Sequence, residues 1–301
     1  LCIRDIYLMW VAFTGACFSS SMFLSALAPN LLALGIVNSI TGINISWGTW
    51  FFAFLPVGLL LLLTMPLLAY WFYPPEVKIN DEVPRWATAE LAKLGRMSRH
   101  EILLLVFVCC ALAMWIFAAS FIEPAMAALL VVVLMLWTGV LNWNDITSNK
   151  PAWNTFAWFA TLVALADGLS RTGFIAWLGK EGAATMGGIS PGTATIVLLL
   201  AFYLLHYLFA STTAHTTALL PAMLTIGAAI PGINMQVFCL LMVTSLGIMG
   251  IITPYGTGPS PIYYGSGYLP TKDYWRLGTI FGAIFLAALL LIGYPWMMMM
   301  F

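Results

Sequence analysis

Long apolar segments alternate with short polar stretches along the chain. Eight such segments occur, at about residues 7–27, 50–72, 102–121, 124–141, 154–170, 194–229, 234–251 and 277–298. Most of them have the roughly 20 residues that an α-helix needs to cross about 30 Å of hydrocarbon. The pattern therefore predicts an all-α polytopic membrane protein.

The segment 194–229 is too long for one crossing, and the polar motif ASTTAHTTALLP at 210–221 interrupts it. Its two limbs, 195–210 and 214–229, have 16 residues each, which is roughly 24 Å as helix. Because neither limb comfortably spans the hydrocarbon, we predict a re-entrant helical hairpin with its polar tip near mid-membrane. Non-helical backbone at that depth must be buried in protein or line a cavity.

The composition agrees with a lipid environment. Residues of the AVILMFWYC set make up 62% of the 301 residues, charged residues only 7%, and the mean hydropathy is +0.98. Eleven basic residues balance eleven acidic ones, which leaves no excess charge to attract nucleic acid. The five cysteines lack the CxxC spacing of metal or redox sites. We therefore expect no nucleic-acid partner, no cofactor and no metal.

One stretch looks soluble: residues 74–101 carry five basic side chains among five acidic ones. By the positive-inside rule this loop faces the cytoplasm. If alternate connections then change sides, and 194–229 returns to the side it came from, only Arg171 and Lys180 of the eleven basic residues lie outside. The charge count supports this topology. It does not distinguish a hairpin at 194–229 from two full crossings, because both return the chain to the side from which it entered.

The sequence also contains an internal repeat. Residues 19–62 align without gaps with 244–287, which pairs Ser19-Ser20 with Thr244-Ser245, Pro29 with Pro254, Ser46 with Thr271, and Trp50 with Trp275. In each copy a helix meets a proline with polar neighbours, continues briefly and restarts at a Ser or Thr. The predicted topology runs the two broken helices in opposite directions. Inverted repeats with broken helices are typical of secondary transporters, whose sites lie where the breaks meet.

No Asp, Glu, Lys or Arg occurs in the 90 residues between Glu181 and Lys272. This argues against a cation pump, which carries intramembrane carboxylates, and against hydrolysis by paired acids. The breaks instead supply hydroxyls, at Ser211, Thr212, Thr213, Thr216, Thr217, Thr253, Thr257 and Ser260. Half-helix N-termini add unpaired N–H groups and about half a positive charge. These are groups that bind an anion.

Two of the three histidines, His206 and His215, lie in or beside the polar motif. His215 follows Ser211 by four residues, so it either binds a carboxylate, carries a proton, or is a neutral histidine hydrogen-bonded within the bundle. The serines at 19–21 and 25 either line a cavity or allow close helix packing. The residue pattern leaves these alternatives open.

Three motifs carry a resemblance to a known family: SNKPAWNTFAWFATL, LLHYLFASTTAHTTALLP and ITPYGTGPSPIYYGSGYLPTKDYWRLG. With them the chain resembles the divalent anion/sodium symporter family, most closely its enterobacterial citrate:succinate and tartrate:succinate antiporters. The resemblance covers the whole chain. It implies an elevator-type transporter of the bacterial inner membrane, homodimeric, with di- or tricarboxylates as substrates.

Members of that family carry a Ser-Asn-Thr motif at each of two hairpin tips and a Thr-Pro break in two unwound helices. By position, the resemblance assigns substrate binding to the second tip, the second break and the first break: Ser211, Thr212, Thr213, Thr253, Pro254, Ala28, Pro29 and Asn30. The first hairpin has no counterpart and Leu1 is not an initiator Met, so we expect the C-terminal part of a longer transporter. Thr212 replaces the family's central Asn, which helps to surround a cation in sodium-coupled members. This replacement favours exchange over sodium coupling.

These features predict four regions. Residues 1–73 hold the end of the first repeat, with a broken helix at Ala28-Pro29-Asn30 and a transmembrane helix. The cytoplasmic loop is 74–101, and scaffold helices with a connecting arm occupy 102–182. A second-repeat transport domain follows at 183–301, with the re-entrant hairpin 194–229, a broken helix 234–268 and a last helix 275–299.

The predicted function is exchange of di- or tricarboxylates of the succinate, citrate, tartrate, malate or 2-oxoglutarate class by alternating access. A sodium-coupled dicarboxylate symporter is the first alternative. The alternative from another class is a membrane-embedded enzyme, for which the uncharged stretch offers no acid partner to a nucleophile.

Overall fold

A computed structural model describes residues 3–72, 74, 82–118, 121–150, 152–153, 156–157, 161, 164, 168, 171–186 and 188–301. Every regular element within these residues is helical, which confirms the all-α prediction. The α-helices with continuous bounds are α1 (Ile3–Met22), α2 (Ala28–Thr41), α3 (Trp47–Phe72), α4 (Glu82–Leu94), α5 (Arg99–Phe117), α6 (Pro124–Trp137), α7 (Trp143–Thr147), α8 (Phe174–Thr185), α9 (Pro191–Leu205), α10 (Thr212–Ala229), α11 (Met235–Ile248), α12 (Ser260–Gly265), α13 (Thr271–Ala288) and α14 (Tyr294–Met300). A π-helical segment, Leu289–Gly293, joins α13 and α14 into one helix.

Five of the described helices are long and apolar enough to cross a membrane: Trp47–Phe72, Arg99–Phe117, Pro191–Leu208, Met235–Ile252 and Thr271–Met300. They agree with a polytopic membrane protein. Three further apolar helical stretches are shorter: Ile6–Met22 within α1, Ala28–Thr41, which is α2, and Ala125–Trp137 within α6. The first predicted segment is cut at Met22, where the chain unwinds, and α6 ends at Trp137, just before the left-handed Gly139. The predicted segment 154–170 lies mostly outside the described residues.

The chain forms two compact units, of which the smaller comprises residues 46–48 and 77–159. Within it α5 packs against α6 around the buried side chains of Phe107, Val131 and Met135. Part of this unit was predicted as the loop 74–101. This connection contains α4 and the start of α5, where Ser98 and Glu101 form a capping box.

The larger unit comprises residues 1–45, 49–76 and 160–301. Its central helix is α11, because every side chain from Val237 to Ile248 is buried. The helices α1, α2, α9, α10 and α13 all contact α11. A sequence that is apolar all round the helix suits such a position.

Two helices of the larger unit unwind. After α1, a 3-10 turn covers Leu24–Ala26 and Leu27 is extended; after α11, a 3-10 turn covers Met249–Ile252 and Thr253 is extended. We call residues 23–27 the first break and residues 249–259 the second break. Thr253 precedes Pro254, and a residue before proline avoids the helical region. Ala28, Pro29 and Asn30, predicted as the break itself, form instead the first turn of α2, because proline is readily accommodated at a helix start.

Element boundaries follow the predicted repeat in part. At the offset of 225 residues, the ends of α1 and α11 and the starts of α3 and α13 agree to within one residue. The helices after the breaks differ, because α2 has 14 residues and α12 only six. The paired tryptophans differ too. Trp50 is buried and its Nε1 donates to the Ser21 carbonyl at 2.8 Å, whereas Tyr274, not Trp275, bonds α13 to the second break.

Candidate functional site

The polar motif 210–221 begins in the turn between α9 and α10, two helices that contact each other, and continues into α10. After α9 a 3-10 turn runs from His206 to Leu208, Phe209 is extended, and the Ser211 side chain caps α10 by accepting a hydrogen bond from the Ala214 N–H at 3.1 Å. With its 3-10 turn, the first limb begins at Pro191 and is long enough to cross a membrane. Limb length therefore does not argue for a re-entrant hairpin, contrary to our sequence argument.

Thr212 connects this turn to the second break. Its side chain is 2% exposed, and its hydroxyl donates to the Gly256 carbonyl at 2.8 Å. Ser211 and Thr213 lie half-buried on either side of it. The Gly256 peptide belongs to no helix, so this side-chain donor supplies the partner that a buried carbonyl requires.

The rest of the second break is held in the same way, because backbone that has left a helix needs other partners for its carbonyls. Three further hydroxyl-to-carbonyl hydrogen bonds supply them: Tyr203 to Ile248 (3.3 Å), Tyr274 to Thr253 (3.0 Å) and Ser260 to Gly250 (3.3 Å). These donors come from α9, α13 and α12. The second break is therefore fixed from several sides, and its conformation does not depend on its own backbone alone.

The two breaks meet where α1 crosses α11. A Cβ atom at Gly247 would lie 2.5 Å from the Ser21 nitrogen and 2.8 Å from the Cys17 carbonyl oxygen, so only glycine fits this crossing. The Ser21 hydroxyl accepts a hydrogen bond from the Ile248 N–H at 2.9 Å. The hydrogen bond and the close backbone contact join the end of α1 to the end of α11.

The Asn30 side chain makes its hydrogen bonds to the end of α1 and to the first break. Its amide nitrogen donates to the carbonyls of Ser20 at 2.8 Å and of Phe23 at 3.4 Å, which caps the end of α1. Its Oδ1 is buried and has no hydrogen-bond partner among the described residues. Pro29 is buried as well. The side chain predicted to bind substrate thus has a structural task, with one acceptor left over.

A crevice with about 210 Å³ of empty space lies between the two breaks. Its lining residues are Ala16, Cys17, Ser20, Leu27, Gly247, Thr257 and Pro259. The serine run therefore serves both predicted purposes, since Ser20 lines the crevice and Ser21 makes the close helix contact. The lining is uncharged and mixes hydroxyls with apolar surface.

His206 and His215 meet behind the hairpin turn. Both are 0% exposed, and their ring centroids are 4.9 Å apart with the planes at 89°. Phe202 and Phe209 pack against His215, with centroids at 4.4 and 5.2 Å. His206 lies against the Gly256 backbone without a well-formed hydrogen bond, and within the described residues no ring nitrogen of either histidine has a partner. The described residues therefore do not support the alternative in which His215 is a neutral histidine hydrogen-bonded within the bundle.

The structure brings most of the predicted site residues to one region. Thr212, flanked by Ser211 and Thr213, contacts the second break, which contains Thr253 and Pro254, while Pro29 and Asn30 lie in α2, which packs on α10. Sequence reasoning missed Gly247, Gly256 and Cys17. The available signal for the two glycines was their position within or beside a predicted break, where glycine commonly marks a close backbone approach.

Comparisons with known proteins identify the family. The family described as sodium:sulfate symporter transmembrane region matches residues 4–301. Among similar proteins are L-tartrate/succinate antiporters of Shigella dysenteriae serotype 1 (strain Sd197), Shigella sonnei (strain Ss046) and Escherichia coli (strain K12), each 50% identical over 291 residues. The alignments cover 97% of this chain and 60% of each relative, so the chain spans about 60% of their length. These relatives are named as antiporters and not as enzymes. The chain belongs to the sodium:sulfate symporter transmembrane family, also called the divalent anion/sodium symporters, and is a multi-pass protein of the bacterial inner membrane.

Proposed function

We propose that the protein exchanges dicarboxylates or tricarboxylates of the tartrate, succinate, citrate, malate or 2-oxoglutarate class across the inner membrane. The observation that carries the proposal is the hydrogen bond from the Thr212 hydroxyl to the Gly256 carbonyl, at 2.8 Å. It closes the hairpin turn onto the second break with protein atoms alone. The names of the relatives supply the substrate class.

The chemistry of the region suits an anion. The Ser20 and Thr257 hydroxyls line an uncharged crevice, and Thr212, at the positive dipole end of α10, contacts Gly256 next to Thr257. Hydroxyls and helix N-termini hold carboxylates without a full countercharge. The crevice between the two breaks is lined by hydroxyl-bearing and apolar side chains and by no charged residue. Ser211, Thr212, Thr213, Thr253, Pro254, Pro29 and Asn30 are the proposed substrate residues.

Sodium-coupled symport is the alternative, and the position of Thr212 favours exchange. A cation that bridged the turn and the break would need oxygen atoms free to coordinate it. Here the Gly256 carbonyl already accepts a hydrogen bond from Thr212. Exchange needs no ion gradient, because the outgoing carboxylate drives the incoming one.

The proposal includes an inverted repeat, a re-entrant hairpin and an elevator movement. Its support is the division of the chain into two units, with α9, α10 and both breaks in the larger one and α5 and α6 in the smaller one. The larger unit then serves as the transport domain, and the smaller one as part of the scaffold that forms the homodimer. The predicted connecting arm, 177–182, lies in α8, whose Gly179 and Gly182 pack closely against α10.

Counterflow in proteoliposomes tests the proposal. Labelled succinate should enter vesicles loaded with unlabelled tartrate or succinate, with equal rates in sodium and in potassium, and should not accumulate in empty vesicles. Sodium-dependent uptake into empty vesicles would establish symport instead. If no carboxylate inside the vesicles stimulates uptake, the proposal fails.

Substrate protection tests the site separately from transport. In Ser211→Cys and Pro254→Cys variants, tartrate should slow the reaction of the new thiol with a small maleimide. Cys109 and Cys110 are exposed on α5 and provide the internal control, because substrate should leave their reaction unchanged. Equal labelling with and without tartrate at both engineered positions would remove these residues from the site.

A further inference from the structure

The His206–His215 pair is a buried polar cluster that anion binding by hydroxyls does not use. Four ring nitrogens and the Thr253 hydroxyl are buried without a hydrogen-bond partner in the described part of the chain. A Cβ atom at Gly256 would lie 2.5 Å from His206 Nε2 and 2.4 Å from Thr253 Oγ1, so both atoms face the same backbone position. Buried polar groups without partners are rare and costly, which calls for a function or a bound species.

The pair also lies directly behind the proposed substrate residues. Ser211 caps the first turn of α10 and His215 is four residues further on, about 6 Å along the helix axis. Gly256, which accepts the hydrogen bond of Thr212, is also the residue against which His206 lies. One backbone position therefore connects the hairpin turn, the second break and the imidazoles.

Within the described residues, no buried charge matches the pair. His215 is enclosed by Phe202, Phe209 and His206. The described titratable side chains on elements packed against α9, α10 and the second break are Tyr7, Cys17, Lys180, Glu181, Tyr203, Tyr207, Cys239, Tyr255, Lys272, Asp273, Tyr274 and Arg276. The charged ones among them are exposed or half-buried, whereas both imidazoles are 0% exposed. A proton on the pair needs a counter-ion in this apolar setting.

From this geometry we infer that His206 and His215 form a proton site that fills when a carboxylate substrate binds at the hairpin turn. The proton comes from water, binds the lone pair of one ring nitrogen, and returns to water when the substrate leaves. The second imidazole accepts a hydrogen bond from the protonated one after a small rotation of the rings. The substrate carboxylate supplies the negative charge that the protein lacks, and the inference therefore rests on the proposed function.

Linkage fixes the direction of the effect. If the protonated pair binds substrate more tightly, substrate binding must raise proton affinity by the same factor. The apparent substrate affinity is then highest at low pH and falls as the pair loses its proton, by at most about tenfold per pH unit for one proton. Because the incoming and the outgoing substrate each carry one proton, these protons leave the charge moved per exchange unchanged.

Calorimetry on the purified protein tests the inference. Tartrate is titrated near the pH of imidazole ionisation, where tartrate itself is fully ionised, in three buffers of different ionisation enthalpy. The slope of the observed enthalpy against the buffer enthalpy counts the protons taken up per tartrate. We expect a positive slope of up to one proton in the parent protein and in His100→Gln, which alters the third, exposed histidine. His215→Gln and His206→Gln should bind tartrate several-fold more weakly with a slope near zero.

Each other outcome contradicts a defined part of the reasoning. Tartrate binding with zero slope in the parent protein overturns the proton site but leaves carboxylate exchange intact, and it would mean that the pair holds only water. A slope that persists in both glutamine variants places the proton elsewhere and overturns the assignment. If tartrate, succinate and citrate all fail to bind the parent protein, both the proposed function and this inference fall.

Discussion

Replacing Gly247 by alanine should separate the two breaks. The added Cβ would lie 2.5 Å from the Ser21 nitrogen, 2.6 Å from the Ser21 Oγ and 2.8 Å from the Cys17 carbonyl oxygen. Two of these three atoms are backbone atoms of α1 and cannot rotate away. The helices must therefore move apart at the point where the Ile248 N–H donates to the Ser21 hydroxyl at 2.9 Å.

The cost follows from these distances. Ordinary contact begins near 3.4 Å, so α1 and α11 must separate by roughly 0.9 Å at the crossing. Overpacking of this kind costs about 1–3 kcal/mol, and loss of the Ser21–Ile248 hydrogen bond about 0.5–1.5 kcal/mol more. We expect Gly247→Ala to lower the free energy of unfolding by roughly 2–4 kcal/mol, and to reduce exchange because the crevice lining shifts.

Thermal unfolding in detergent and counterflow in proteoliposomes measure the two effects. The matched control is Gly35→Ala, because Gly35 is an exposed glycine within α2 with open space at its Cβ position. That substitution should be neutral or stabilise by up to about 1 kcal/mol. A Gly247→Ala protein that melts with the parent and exchanges at the parent rate would refute the close crossing and the joined breaks.

Three further substitutions test the hydrogen bonds and contacts of the second break. Thr212→Val removes the donor to Gly256, which should lower the free energy of unfolding by about 1–3 kcal/mol and strongly reduce counterflow. The control Thr217→Val removes only a hydrogen bond to the Thr213 carbonyl within α10 and should have little effect on counterflow. Gly256→Ala should abolish exchange, because the added Cβ would lie 2.4 Å from Thr253 Oγ1. The control is Gly258→Ala, whose Cβ would meet open space. Counterflow at the parent rate in Gly256→Ala would contradict this geometry. Tyr203→Phe removes the hydroxyl that donates to the carbonyls of Ile248 and Gly282. It should cost about 1–3 kcal/mol and lower the melting temperature by several degrees. The control Tyr255→Phe removes an exposed hydroxyl and should leave the melting temperature unchanged, so equal melting temperatures of the two variants would refute the role of Tyr203.

Sequence reasoning located the chemistry better than it located the elements. The 90-residue stretch without charge, the interrupted segment 194–229 and the polar residues beside the prolines at both breaks were visible because polar residues are expensive in an apolar setting and therefore informative. Helix boundaries were less accurate. The start of α9 was predicted at 195 instead of Pro191, and α4 was predicted as loop, because capping by Ser190 and local packing decide where a helix begins.

For individual site residues, the motif predicted which positions matter but not what each side chain does. Thr212 was predicted from its place in a motif, and the structure gives it a contact with the second break. Asn30 was predicted on the same grounds, but its amide caps the end of α1. A motif identifies a residue that matters, and only its neighbours show what the side chain does.

The sequence by itself determined that this is an all-helical membrane protein, that its polar turn and second break lie in an uncharged stretch, and that it resembles a family of anion transporters. These features depend on composition and on local order along the chain, which short windows contain. Only the tertiary structure decided that Gly247 allows α1 and α11 to touch, that Thr212 reaches Gly256, and that His206 and His215 share one buried site. The partners in each of these contacts come from different segments of the chain, and the distance between them depends on how whole helices pack, which no local pattern records.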